Sequence, residues 1–433
     1  MAALRRAASR SSRWLAERPR AIGNFWRALG PGLISGAADD DPSGIATYSV
    51  AGAQLGTSLL WTALLTWPLM AAVQTMCARI GMVTGRGLMA GLRKKFPRSV
   101  LVPAAAALLI ANTMNIGADL AGMSDAAELL TGVSSHVWVI GFGLGIGWAT
   151  IRLRYGLISR VLKWLALTLF VYVIAAVALR PDWHAVARAA VVPSLPRGSA
   201  GWATIVAILG TTISPYLFFW QASSEVEEEK AQGRHSLVER RGASPVELRR
   251  RKLDVGVGTF FSNLVMFFII LTTALTLNAH GLTHLNTSRE IAEALRPLAG
   301  RFATLLYTVG LVGTGLLAIP TLSGSAAYAF AETFGWRQGI DADLRHAPAF
   351  YAIVGGSMVI GMAMDMVDIN AVQALYWTAV VNGVLAPFLL CGILLVASDR
   401  VLMKGQPSST LGRSVVAATT VAMFGAAIAM FVL

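Results

Sequence analysis

The sequence predicts an all-α polytopic membrane protein with eleven transmembrane helices. Hydrophobic residues make up 55% of the 433 positions and charged residues only 14%, whereas soluble domains carry about 25% charged residues. Eleven apolar runs are long enough to cross the roughly 30 Å of hydrocarbon in a bilayer. Two of these runs are interrupted near the middle by polar residues and proline. We therefore expect one transmembrane unit rather than several soluble domains.

The predicted spans form two groups of five and one additional helix. An N-terminal arm covers 1–28, and a single transport domain covers 29–433. Within it, the first repeat covers about 29–179, the second about 201–397, and span eleven 412–433. The individual spans are placed at 29–54, 57–80, 100–124, 135–151, 160–179, 201–223, 255–277, 301–331, 348–365, 369–397 and 412–433.

The distribution of charge predicts the orientation in the membrane. The chain has 36 Lys and Arg against 23 Asp and Glu, a formal net charge of +13. About 30 of the 36 basic residues fall on one side of the predicted topology, and the rule that basic loops stay inside makes that side cytoplasmic. An odd number of spans then places Leu433 outside. The basic excess is explained by topology, so we expect a lipid bilayer and no nucleic acid as partner.

Span one contains the first interruption, the run DDDPSG at 39–44. Three acids are costly in hydrocarbon unless they line a cavity or pathway. Pro42 removes an amide donor and disfavours the preceding helical turn, while Ser43 and Gly44 tolerate non-helical backbone. The helix should unwind here and expose carbonyl groups beside a carboxylate. Oxygen ligands around a negative charge predict a cation site.

Span six contains a matching interruption, the run GTTISP at 210–215. A single proline with Thr and Ser is common as a harmless kink, but spans one and six begin the two five-span halves. Interrupted helices at corresponding positions point to a binding site at the midplane of inverted-repeat transporters. We expect Asp41 to face the freed carbonyls of Ala38 and Thr211, with Asp40 and Thr212 next to the site.

These residues resemble the natural resistance-associated macrophage protein (NRAMP) family of divalent-metal transporters, over essentially all eleven spans. The resemblance implies a LeuT-like fold of two inverted five-helix repeats and a transporter rather than an enzyme, without a resident cofactor. The family motifs Asp-Pro-Gly-Asn and Met-Pro-His align with Asp41-Pro42-Ser43-Gly44 and Ser214-Pro215-Tyr216. Its metal ligands map to Asp41 and to the carbonyls of Ala38 and Thr211.

Two departures from the family motifs bear on the transported ion. Gly44 stands in place of the Asn ligand, and Ser214 in place of the Met ligand. A thioether favours softer transition metals, whereas carboxylate, carbonyl, hydroxyl and water favour Mg²⁺, Ca²⁺ and Mn²⁺. Fewer side-chain ligands leave room for an ion that keeps several waters, as Mg²⁺ does. This pattern is similar to the magnesium-transporting branch related to NRAMP proteins, so we expect Mg²⁺, with Mn²⁺ as a second substrate.

Two other departures bear on proton coupling. In span three Asp119 matches an Asp that the family links to a proton route, but Gly122 stands where the family has Glu. Tyr216 replaces the His of the sixth span. Neither Gly nor a Tyr with a pKa near 10 relays protons at neutral pH. We expect transport without proton coupling; a proton-coupled Mn²⁺ or Fe²⁺ symporter is the alternative.

Several further alternatives remain open from the sequence. Asn382 in span ten could contact a hydrated ion or bond to a neighbouring helix. The same architecture also carries organic solutes, although three acids would repel a substrate carboxylate. An intramembrane aspartyl protease would need Asp41 and Asp119 as a dyad, but GADLAGM around Asp119 lacks the GxGD pattern of such proteases.

The expected location is the inner membrane of a bacterium, with the chain as a monomer. The arm 1–28 is rich in Arg, Ser and Ala, which also suits an organellar transit peptide; we expect a cytoplasmic tail. The segment 223–254 is the only long charged stretch and joins spans six and seven on the cytoplasmic side, and we expect a solvated helical linker there.

Overall fold

The computed structural model describes residues 31–152, 169–296, 300–340, 342–366 and 370–433. Within these residues the regular structure is helical and contains no strand, which confirms the predicted all-α class. The arm 1–28 and part of the predicted fifth span lie outside the described residues. We number the α-helices in chain order across the described part.

Sixteen α-helices occur in the described residues. The first eight are α1 Pro31–Asp39, α2 Pro42–Leu55, α3 Leu60–Thr84, α4 Leu88–Leu92, α5 Arg98–Thr131, α6 Ser135–Arg152, α7 Phe170–Ala178 and α8 Trp183–Val191. The others are α9 Ser199–Thr212, α10 Pro215–Ala231, α11 Pro245–Thr276, α12 Ser288–Glu293, α13 Ala303–Phe334, α14 Pro348–Met364, α15 Ala371–Ser398 and α16 Thr410–Val432.

Seven helical stretches of the described residues are long and apolar enough to cross a membrane. They are Pro42–Thr84, Arg98–Thr131, Ser199–Ala231, Pro245–His280, Ala303–Phe334, Ala371–Ser398 and Thr410–Val432, and Pro348–Met364 is a shorter apolar helix. The protein is therefore an integral membrane protein. The count of eleven spans and the orientation of the termini stay predictions.

Both predicted interruptions are present. The first predicted span is broken into α1 and α2 between Asp39 and Pro42, and the sixth into α9 and α10 between Thr212 and Pro215. Each second half begins with proline at its first position, where the missing amide hydrogen costs nothing because the first amides of a helix have no intrahelical partner. The local chemistry of proline therefore sets both breaks.

The charged segment 223–254 differs from the expected helical linker, because both of its ends belong to membrane helices and only 232–244 connects them. Helix α10 runs on to Ala231, and α11 begins at Pro245, ten residues before the predicted span seven. Ser244 caps α11, and its hydroxyl and the Glu247 side chain form a reciprocal capping box. This box favours helix initiation ahead of the apolar residues. The charged residues thus extend two membrane helices at one end of the molecule.

Glycines allow the helices around the breaks to approach closely. A Cβ atom at Gly52 of α2 would lie 2.4 Å from the carbonyl oxygen of Ile270 in α11. One at Gly210 of α9 would lie 2.0 Å from the carbonyl oxygen of Ala379 in α15. Small residues at such contacts are the usual means of helix association in membranes, because lipid supplies no hydrophobic driving force between helices. The two broken helices are thereby held tightly against α11 and α15.

Candidate metal site

Asp41 closes the first break as the N-cap of α2. Its backbone is extended, with φ −68° and ψ 172°, as expected for a residue that precedes proline. Its Oδ1 accepts hydrogen bonds from the Gly44 amide at 2.7 Å and the Ser43 hydroxyl at 2.8 Å. These contacts satisfy an otherwise unpaired amide of the first helical turn. The sequence DPSG therefore positions the Asp41 carboxylate at the interruption between α1 and α2.

Ser214 closes the second break differently. Its hydroxyl donates to the carbonyl oxygens of Gly210 at 2.6 Å and Thr211 at 2.8 Å. The Ser214 oxygen thus turns back onto the end of α9, where the last carbonyls of a helix need donors. In this arrangement the Thr211 carbonyl is already hydrogen-bonded, while the Thr211 hydroxyl is buried without a partner among the described residues. The sequence analysis assigned Thr211 through its carbonyl and missed its side chain.

Tyr216 joins the two breaks. Its hydroxyl lies 2.7 Å from the carbonyl oxygen of Ala38 and 3.3 Å from Oδ2 of Asp41. Gly44 also packs against both breaks, because a Cβ atom there would be 3.1 Å from the Thr211 hydroxyl and 3.2 Å from the carbonyl oxygen of Asp39. The ends of α1 and α9 and the beginnings of α2 and α10 therefore meet at one place, as the paired interruptions predict.

Helix α5 adds an amide and a second carboxylate. The Asn115 side-chain amide lies 3.2 Å from Oδ2 of Asp41 and 3.4 Å from Oδ2 of Asp119. Both residues are fully buried, and Oδ1 of each lacks a partner among the described residues. The sequence analysis assigned no role to Asn115. Asn115 and Asp119 are four residues apart and so lie on one face of the helix. This spacing could have identified Asn115 as a neighbour of Asp119 from the sequence.

Three predicted neighbours of the site have other contacts. The Thr212 hydroxyl donates to the carbonyl oxygen of Ile208 at 2.5 Å. Asp40 is within hydrogen-bonding distance of Ser262 in α11, at 3.3 Å. Asn382 is buried beside the close contact of α9 and α15, and its Oδ1 has no partner among the described residues. The structure therefore groups Asp41, Ala38, Ser43, Gly44, Tyr216 and Asp119 and gives no direct contact of Thr212 or Asn382 with Asp41.

The electrostatic character of this region is strongly acidic. Asp39, Asp40, Asp41 and Asp119 are each at most 4% exposed. In the described part of the chain, none of them forms an ion pair with Lys, Arg or His. Buried charge without compensation is costly, so this region suits a cation. No three Asp, Glu, His or Cys side chains of the described residues converge as a metal cluster.

Comparison with known proteins agrees with this architecture. The model of the "Natural resistance-associated macrophage protein-like" family matches residues 32–433. A relative named divalent metal cation transporter MntH, from Yersinia pestis (strain Pestoides F), is 25% identical over 366 residues, 82% of this chain and 86% of the relative.

Two solved structures share the fold. A manganese transporter of Eremococcus coleocola has a TM-score of 0.73 at 17% identity, covering 93% of this chain and 86% of that one. Mhp1, a nucleobase-cation-symport-1 family transporter, has a TM-score of 0.55 at 15% identity, covering 93% and 90%. The predicted transporter fold with two broken helices is confirmed at this level. Because the family model spans nearly the whole chain, the protein belongs to the natural resistance-associated macrophage protein-like family.

Proposed function

We propose that this protein moves divalent metal cations, Mg²⁺ foremost and Mn²⁺ as well, into the cytoplasm by alternating access without proton coupling. The main observation in support of this proposal is the position of Asp41. It lies where the two broken helices meet and is surrounded by hydroxyl, amide and carbonyl groups. The relative from Yersinia pestis bears the name of a divalent metal cation transporter. That name supports the general activity, and the side chains at the breaks support the choice of ion.

The donor groups near Asp41 favour a hard ion. The Ser43 and Tyr216 hydroxyls that contact its carboxylate are oxygens that can ligate an ion, whereas the Gly44 and Asn115 N–H groups hold the carboxylate in place. The Met position of the family motif holds Ser214, whose hydroxyl donates to the carbonyl oxygens at the end of the preceding helix α9. Carboxylate, carbonyl and water ligands suit Mg²⁺ and Mn²⁺ better than soft metals. A site with few protein ligands also lets Mg²⁺ retain waters.

Packing at Gly44 supports the loss of the family's Asn ligand. A Cβ atom at this position would approach the Thr211 hydroxyl to 3.1 Å and the carbonyl oxygen of Asp39 to 3.2 Å. A side chain as long as that of Asn would need these groups to move.

The contacts of Asp119 support uncoupled transport. Asn115 stands between Asp41 and Asp119, and a side-chain amide does not titrate at neutral pH. A Cβ atom at Gly122 would lie 2.8 Å from Leu375, so an apolar contact occupies the place of the family's Glu. The membrane potential, worth about 2.3 kcal/mol per charge per 100 mV, would then drive a divalent ion inward.

Ion uptake into liposomes that contain the purified protein tests the proposal. We expect uptake of Mg²⁺ and Mn²⁺ by the wild-type protein and background uptake by Asp41→Asn, since Asn keeps the N-cap but loses the charge. The matched control is Asp343→Asn, a carboxylate whose side chain is 83% exposed. Undiminished uptake by the Asp41 variant, or no Mg²⁺ uptake by the wild type, would contradict the proposal.

A further inference from the structure

A long cavity, which we call the α15 groove, follows one face of helix α15. Its volume is about 1130 Å³, and residues of α2, α5, α9, α15 and α16 and of the connection before α12 line it. On α15 the lining positions are 372, 373, 376, 377, 380, 381, 384, 385 and 388, the spacing of a single helix face. From Val372 to Phe388 this face is about 24 Å long at 1.5 Å per residue, which is most of the roughly 30 Å of hydrocarbon in a bilayer.

The α15 groove is open to lipid and reaches into the protein. Its rim includes Ile110, Phe388 and Phe431, which are 61%, 62% and 77% exposed. Its floor includes Val50 of α2 and Ala203 of α9, both buried. Apolar cavities exclude water, so a groove that opens from the bilayer is suited to a hydrocarbon chain. The floor also brings the occupant against one half of each broken helix.

The two ends of the α15 groove differ in polarity. One end lies where α9 and α15 begin, and there the Thr204 hydroxyl is 3.1 Å from the Tyr376 hydroxyl and 3.5 Å from Oε1 of Gln54. The other end is lined by apolar residues of α5 and α15, such as Ala107 and Leu385. This gradient matches an amphiphile with a polar head and an apolar tail. The polar lining residues of the first end are Gln54, Ser199, His284, Asn286, Gln373 and Tyr376.

The electrostatic character of the polar end favours an anionic head group. The first turns of α9 and α15, at Ser199 and Gln373, both line it, and helix N-termini carry a positive partial charge that attracts phosphate. The N-cap of α9 is Gly198, which has no side chain to bond the first amides. None of the residues that line the groove is Asp or Glu. The Asn370 side-chain amide donates to the carbonyl oxygen of Asn286 at 2.6 Å, which holds the connection before α12 against the start of α15.

We propose that the α15 groove binds one phospholipid molecule, with its phosphate at the first turns of α9 and α15 and an acyl chain along α15. The length of the groove, its opening to the bilayer and its gradient from polar to apolar lining together support this occupant. The predicted topology places the starts of α9 and α15 on the outer side, so the lipid would come from the outer leaflet. Because Val50 and Ala203 belong to the broken helices, a bound lipid contacts the same elements that form the site at Asp41.

Native mass spectrometry of the delipidated full-length chain, titrated with phosphatidylglycerol, tests the position of the head group. We expect one tightly bound lipid on the wild-type chain and a roughly tenfold larger dissociation constant for Gln373→Glu, because a carboxylate there repels phosphate. Glu at the third position of a helix supports its start, so a folding defect would not explain this loss. The matched control Gln232→Glu, at the exposed C-terminal end of α10, should bind as the wild type does. Equal binding by both variants would contradict the assigned head-group site.

Filling the apolar end tests the position of the acyl chain. In Ala107→Trp an indole occupies that end, so we expect at least a tenfold loss of affinity for long-chain phosphatidylglycerol and little change for its six-carbon analogue. Ala352→Trp, on the exposed surface of α14 and outside the groove, is the matched control. Equal affinity of the two Trp variants for the long-chain lipid would contradict the chain position. A wild-type chain that retains no phospholipid, or from which inorganic phosphate alone displaces the lipid, would overturn the proposal.

Discussion

The carboxylate of Asp41 combines a structural and a chemical role. Oδ1 caps α2 through Gly44 and Ser43, and Oδ2 faces Asn115 and Tyr216. The same backbone break that exposes helix-end carbonyls therefore also orients the charged group beside them. Because these groups are already in place, the free-energy cost of rearranging them when an ion binds is smaller.

The side chain at Ser214 should determine the preference for hard ions. In Ser214→Met a thioether replaces the hydroxyl, and the Thr211 carbonyl loses one donor. We expect the ratio of Cd²⁺ to Mg²⁺ uptake to rise roughly tenfold, about 1.4 kcal/mol, because sulfur favours soft ions. Competitive uptake in liposomes measures this ratio. Ser214→Ala, which frees the same carbonyl without adding sulfur, is the matched control, and an equal rise in both variants would exclude a ligand role for the sulfur.

The hydroxyl of Tyr216 should compete with the ion for the Ala38 carbonyl. In Tyr216→Phe this buried carbonyl loses its donor, so we expect a loss of about 1 kcal/mol of stability without metal. Added Mn²⁺ should then raise the melting temperature more than in the wild type, since the ion takes over the carbonyl. Tyr172→Phe is the control because the Tyr172 hydroxyl has no partner among the described residues. Identical melting curves for both variants would disprove the competition.

At the scale of helices, a charged cluster holds the ends of α1, α10 and α11 together. Arg251 donates to Glu225 at 2.8 Å and to Asp254 at 2.6 Å, and it also pairs with Glu228. Asp254 in turn accepts a hydrogen bond from the Gly32 amide at 2.9 Å. These contacts join the first half of the first broken helix to both charged helix extensions.

Removing the central guanidinium should destabilise that end. In Arg251→Met three carboxylates lose their common partner, and breaking a buried ion pair costs about 3–5 kcal/mol. Lys230→Met is the matched control, because Lys230 is 31% exposed and pairs within its own helix with Glu227, where a pair is worth about 0–1 kcal/mol. Thermal unfolding of the solubilised protein compares the two. Equal losses would show that the Arg251 cluster does not hold the helices together.

The sequence analysis predicted helix breaks well and helix partners poorly. Asp41 with Pro42 and Ser214 with Pro215 set their breaks through local backbone chemistry, so both could be placed from sequence. The contacts of Asp40 with Ser262 and of Glu225 with Arg251 join residues far apart in the chain, and no local pattern encodes them. The hydrogen bonds of the Ser214 hydroxyl to the carbonyls at the end of α9 were also not predicted, and the assignment of Ser214 as an ion ligand stays a prediction.

At the scale of the whole molecule, the order of the helices could be predicted because the lengths of the apolar runs and the positions of the charged residues are read directly from the sequence. The arm 1–28 and part of the fifth span remain predictions, since they lie outside the described residues. The helix-to-helix packing could not be foreseen. It depends on glycines such as Gly36 and Gly210, whose close backbone contacts appear only once the partner helices are known.

The predicted orientation and the odd number of spans can be tested together. An alkaline phosphatase fused after Leu433 should be active, because an odd number of spans places that end outside the cytoplasm when the N-terminus is inside. A fusion within 236–240, between α10 and α11, should be inactive and serves as the control. An inactive fusion after Leu433 together with an active internal fusion would reverse the topology.

The central claim is uncoupled transport of a hard divalent ion through the site at Asp41. Its most direct test is simultaneous measurement of Mg²⁺ uptake and internal pH in liposomes that contain the purified protein, with an imposed membrane potential. The account predicts Mg²⁺ entry that increases with a negative interior potential and leaves the internal pH unchanged. Mn²⁺ entry with acidification and no Mg²⁺ entry would contradict it and would indicate a proton-coupled manganese carrier.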